Sequence, residues 1–248
     1  MNNTFLNKNE LNSINTAYEA EYSHIFEHIN PVLNAERFTE ENQTINFFNA
    51  LKKIYGEENI YAWFEYPWKI DGVTFGNNKK SSYRFDAVIF VKNKNNDKGN
   101  LLIVEAKCLR GDTKYTAINS DFCRILGCNS KLERHTNNTN KKLIKLHISK
   151  DKIENIYTVI LADYWKKRSA KFYKNINERW MQINDNKQND LFDKFQNTVQ
   201  NAYKKNYTDT PLWNEPIHVK DIKDTNNKYY LLTLFSKINN YTEIFDFM

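Results

Sequence analysis

Two carboxylates and a lysine interrupt two largely apolar runs of the chain. Asp86 falls within residues 83–91, and Glu105 and Lys107 fall near the end of residues 101–109. Side chains alternate along a strand, so Leu101, Ile103, Glu105 and Lys107 share one face, while Leu102, Val104 and Ala106 share the other. In the first run Arg84, Asp86, Val88 and Phe90 alternate in the same way with Phe85, Ala87, Ile89 and Val91. Both faces are apolar over most of their length, as in a strand covered on both sides. An ionised group buried there costs several kcal/mol unless it is paired or binds a metal. Two carboxylates and a lysine at the open end of a hairpin make an oxygen-donor site for a hard divalent cation, with a cationic group beside it. The plainer alternative is a cross-strand salt bridge between Asp86 and Lys107, with Glu105 at a solvated strand end.

The elements that must hold these residues can be read outward from the hairpin. Residues 92–100 are rich in Lys, Asn, Asp and Gly and read as its turn. Ahead of it, residues 60–66 form a first strand ended by Pro67, and 68–82 form a loop suited either to a phosphate backbone or to solvent. A helix is expected from Thr39 to Tyr55 and Gly56, with Thr39 as N-cap and Glu40 and Glu41 in the first turn, where the helix dipole favours acids. Its apolar face is read as Ile45, Phe48, Leu51 and Ile54, with Phe47 beside it. An earlier helix spans 11–29 and ends at Asn30 and Pro31. His24 and His28 stand four apart on it, a metal-ligand spacing for which no third ligand is evident.

Beyond the hairpin, the spacing predicts a helix over 116–126 and a basic surface segment over 131–145. Residues 157–165 make a central strand, followed by Lys166, Lys167, Arg168 and Lys171 among aromatic residues. That cluster is the best nucleic-acid contact outside the acids and lysine, unless its aromatics belong to the core. A helix over 191–203, a connection at Pro211 and Pro216, and a last strand over 229–235 complete the chain. Strands alternating with helices point to a single α/β domain over 1–248.

Composition bounds the function without naming it. The chain has 248 residues, net charge +6 and 15% aromatic residues, which suits a folded core and tolerates a polyanionic partner. No stretch approaches the ~20 apolar residues of a membrane span, and residues 1–8 lack the apolar core of a signal peptide. Cys108, Cys123 and Cys128 are an odd set with no disulfide framework, so the cytoplasm is the expected location. With His135 they suggest zinc, although Cys123 and Cys128 lack the usual tight spacing and Cys123 also suits a helix face.

Asp86, a gap, and then Glu105, Ala106 and Lys107 resemble the PD-(D/E)xK nuclease core of restriction endonucleases and related DNA-processing enzymes. The resemblance covers roughly 40–165, with Phe85 where the proline of the motif name would stand. It implies a restriction-endonuclease-like core: a central mixed β-sheet flanked by α-helices. It also implies Mg²⁺, for which Mn²⁺ can substitute, held by Asp86, Glu105 and the carbonyl of Ala106. Lys107 would orient water and offset phosphate charge, and an early helical glutamate, Glu40 rather than Glu41, would face the site. The expected activity is metal-dependent cleavage of DNA in a bacterial restriction or anti-phage system, with a homodimer favoured if both strands are cut. An RNA- or structure-specific nuclease on the same core, a non-catalytic nucleic-acid-binding protein, and a structural module built on a salt bridge are the competing readings.

Overall fold

The hairpin turn is closed by the Asn93 N–H donating to the Lys98 carbonyl at 2.8 Å, and the Lys98 N–H donates to Asn96 Oδ1 at 2.9 Å. Gly99 follows because any Cβ there would collide with the Val91 carbonyl oxygen. The computed structural model describes residues 7–28, 39–68, 83–108, 144–146, 148–165, 212–213, 217–222, 227–238 and 245–247.

These residues form helices α1 (Lys8–His28) and α2 (Glu40–Tyr55) and nine strands. The strands are β1 (Ile60–Trp68), β2 (Tyr83–Lys92), β3 (Gly99–Cys108), β4 (Ile144–Leu146), β5 (Ile153–Trp165), β6 (Leu212–Trp213), β7 (Ile217–Ile222), β8 (Asn227–Lys237) and β9 (Phe245–Phe247). A seven-stranded sheet runs β1-β2-β3-β5-β8-β6, with β7 also on β8. It is mixed: β3 and β5 are parallel and the other pairings antiparallel, so the fold is α/β. Strands β4 and β9 form a separate two-stranded parallel sheet.

The sheet is covered on both sides, as the apolar runs require. On one face, Ala87, Ile89, Leu102, Val104, Val159 and Leu161 meet Phe47, Ala50 and Leu51 of α2 and Ile14, Tyr18 and Tyr22 of α1. On the other, Val88, Leu101, Ile103 and Ile156 meet Leu146 of β4 and Phe247 of β9. A buried hydrogen bond of 2.6 Å from the Thr233 hydroxyl to Asn15 Oδ1 ties α1 to β8.

Several sequence expectations change. Helix α2 is rotated from the expected face: Gln43, Thr44, Asn46, Phe47, Ala50 and Leu51 are buried, whereas Ile45 is 45% exposed. Phe47 supplies the reason, because it inserts between Tyr18 and Phe235 with ring centroids 5.7 and 5.9 Å away. Strand β1 does not end at Pro67, which pairs with Arg84; an edge strand tolerates a missing N–H. Strand β5 starts four residues early. Strands β6, β7 and β9 go beyond the sequence pattern, and β4 takes Lys145 out of the expected basic surface segment. The helices expected over 116–126 and 191–203, the loop over 69–82 and the basic stretch over 131–143 lie outside the described residues.

Candidate active site

The β2–β3 ladder runs from Lys92 and Gly99 to Ala87 and Val104 and ends there. On either side pairing continues, to Trp68 and Tyr83 between β1 and β2, and to Cys108 and Asp163 between β3 and β5. The two inner strands therefore part at the rung where Asp86 and Glu105 would face each other. Asp86 spans the opening: its Oδ2 accepts the Ala106 N–H at 2.6 Å, in place of a backbone partner. A residue's N–H and C=O leave a strand by the same edge, so the Ala106 carbonyl faces the same opening.

Backbone distortion marks the same level of the sheet. Glu65 is skipped in the β1–β2 register between Phe64 and Tyr66 and takes a φ of +51°, which non-glycine residues seldom adopt. Phe64 packs on Phe48 of α2, with ring centroids 5.5 Å apart, but Tyr66 and its partner Phe85 join the cluster on the opposite face. The strands turn over at Glu65 and Asp86, so strict alternation fails at Phe85.

Lys107 gathers the acids. Its Nζ lies 3.2 Å from Glu40 Oε2 and 3.6 Å from Glu105 Oε1. Glu105 is 6% exposed, so it is not at a solvated strand end. Glu40 arrives from the first turn of α2, on the stripe that continues through Gln43, Phe47 and Ala50. Glu41 points elsewhere: it is exposed, and a hydrogen bond with the Thr39 side chain, helped by a backbone bond, lowers its pKa. The N-cap is completed by Asn42, whose Oδ1 accepts the Thr39 N–H at 3.0 Å.

The electrostatics follow from burial and crowding. Burial pushes the Asp86 carboxyl up to about 6; the Ala106 N–H and Lys107 oppose this, and Glu40 and Glu65 add to it. Burial disfavours the Lys107 ammonium, but Glu105, Glu40 and Asp86 outweigh that and raise its pKa. Three carboxylates thus surround one ammonium, leaving an excess of negative charge at the parted strands. That donor set suits a hard cation. Among the described residues no three His, Cys, Asp or Glu side chains stand close enough to hold a metal by themselves, and this includes His24, which is exposed.

Gln43 and Asp163 were missed by sequence reading. Both are buried, and Gln43 Nε2 donates to Asp163 Oδ1 at 3.1 Å. A charged residue near the end of the strongly apolar strand β5 is the available signal. The cluster of Lys166, Lys167, Arg168 and Lys171, like Cys123, Cys128 and His135, lies outside the described residues. No described helix is long and apolar enough to cross a membrane. Compared with family models, with curated proteins and with solved structures, the chain matches none of them.

Proposed function

We propose that this protein is a metal-dependent nuclease hydrolysing DNA phosphodiester bonds on a restriction-endonuclease-like core. The observation that carries the reading is the grouping of Glu40, Asp86, Glu105 and Lys107 where β2 and β3 part. Asp86, Glu105 and the Ala106 carbonyl would hold Mg²⁺ or Mn²⁺, with remaining positions left to water and substrate. A divalent cation bound there would supply Lewis acidity and a bound water of lowered pKa. Lys107, kept protonated by its acid neighbours, orients the attacking water and offsets charge building on the phosphate. Glu40 holds the Lys107 ammonium at that place. Asp86 must be ionised to act; burial, and to a lesser degree the charges of Glu40 and Glu65, raise its pKa, and a bound cation would favour the ionised form.

A role in bacterial restriction or anti-phage defence follows from the family resemblance and is less specific than the chemistry. The test is cleavage of DNA and RNA substrates in Mg²⁺, Mn²⁺ or EDTA, with wild type beside Asp86→Ala and Lys107→Ala. Metal-dependent DNA cutting that both folded variants lose supports the proposal. Metal-dependent RNA cutting moves the substrate class, and no cutting with no Mg²⁺ binding by calorimetry points to a binding protein.

A further inference from the structure

Asp163 is a buried acid for which the chemistry above has no use. It stands two residues before the end of β5, beside the site, since Cys108 pairs with Asp163 and Lys107 with Ala162. Its side chain lies on the helix-side face that continues through Leu161 and Val159. There it meets Gln43, which is 1% exposed against 4% for Asp163, at 3.1 Å. Gln43 follows Glu40 by three residues, so both project from one face of α2. Two side-chain links thus join the start of α2 to the ends of adjacent parallel strands: Gln43 to Asp163 on β5, and Glu40 to Lys107 on β3.

The links are unequal. The Glu40 side chain is 38% exposed, and an ion pair that open to solvent holds geometry weakly. A buried hydrogen bond to an acid is the stronger fastening. We infer that Gln43 and Asp163 are positioning residues, which set the first turn of α2 over the strand ends and thereby hold Glu40 against Lys107. The inference rests on the nuclease reading and adds residues outside the set of Asp86, Glu105 and Lys107 that carries the resemblance.

The test is a cycle of Gln43→Met, Glu40→Gln and the double variant, with Asp163→Asn as the conservative replacement, each checked for folding. Gln43→Met should lower kcat about tenfold with little change in KM, as expected when a catalytic group is displaced rather than substrate binding lost. The double variant should be no slower than Glu40→Gln alone, and Asp163→Asn, which keeps the acceptor oxygen, should retain most of kcat. Independent losses that multiply, or a Gln43→Met variant with wild-type kcat, overturn the inference while leaving a nuclease in which Asp86→Ala is dead. A second readout needs no turnover: the rate of reductive methylation of Lys107, followed by mass spectrometry. It should rise severalfold in Gln43→Met as the ammonium loses its fixed partner. If wild type cuts nothing, the nuclease reading fails, and an unchanged methylation rate then overturns the positioning role as well.

Discussion

Asp86 accepts the Ala106 N–H at 2.6 Å just beyond the last backbone pair of β2 and β3, Ala87 and Val104. The same carboxyl therefore replaces a ladder hydrogen bond and belongs to the proposed metal site. These roles make different demands, because the first needs an acceptor oxygen and the second a negative charge.

Asp86→Asn separates them. The folded pKa of about 6 exceeds the ordinary value of 3.8. Between those values the unfolded chain gives up its proton first, so stability falls as pH rises and stays lower above about 6. An asparagine still accepts the Ala106 N–H but never ionises. In EDTA near pH 7 we expect Asp86→Asn to be more stable than wild type by up to about 3 kcal/mol, and inactive. The gain should vanish near pH 4, where aspartate is protonated in the folded protein. Urea titrations at both pH values check this; equal stability at neutral pH would show that the acid is not strained.

Activity should depend on pH in the opposite sense. At low Mg²⁺, kcat/KM should rise through about pH 6 as Asp86 ionises in the free enzyme. Higher Mg²⁺ should move the inflection to lower pH, because cation and proton compete for one carboxylate. An inflection that ignores Mg²⁺ would assign the titration to another group.

The hairpin was legible because period-two alternation and an Asn/Lys/Gly turn are local signals. The acids Asp86 and Glu105 and the amine of Lys107 within those runs single out a candidate site by residue type alone. Whether Glu40 or Glu41 turns inward was harder, since both sit in a first turn that favours acids. The answer depends on the rotation of α2, which Phe47 sets by packing between Tyr18 and Phe235. Sequence spacing favoured Ile45 and Phe48 instead, and nothing local reveals which of two overlapping apolar stripes finds the better cavity. Gln43 and Asp163 are 120 residues apart and acquire meaning only when β5 lies beside β3. Short strands such as β6 and β9 carry too few residues for a pattern.

The two first-turn acids should separate in function. Glu41→Gln should leave cleavage unchanged and cost at most about 1 kcal/mol, the scale of helix-terminus charge effects. Glu40→Gln should cut kcat about tenfold or more by loosening Lys107. Matched kinetics and thermal melts of the two variants decide it, and equal losses would remove Glu40 from the site.

Lys107 should matter for stability as well as turnover. Its side chain is 11% exposed and lies against Glu105, whose side chain is 7% exposed. Lys107→Met should lower cleavage at least about a hundredfold and destabilise the fold on the order of 3 kcal/mol. Glu105→Gln in the same chain should restore much of that stability while leaving activity absent, because the buried charge has gone with its partner. Urea midpoints of the single and double variants test the coupling; additive losses would mean that the two groups do not interact.

A cation bound to the folded chain alone must raise its melting temperature. With Mg²⁺ at about ten times its dissociation constant the stabilisation is about 1.4 kcal/mol, or roughly 3–6 °C for a chain of this size. Asp86→Ala and Glu105→Gln should both abolish the shift, as each removes a charged ligand. Glu41→Gln should keep it, which controls for nonspecific screening of the acidic first turn. Lys107→Met should keep it undiminished, since removing an ammonium from a carboxylate cluster leaves more negative charge for the metal. A shift that disappears in Lys107→Met but survives in Glu105→Gln would place the cation away from the parted strands, and the proposed ligand set would have to be abandoned.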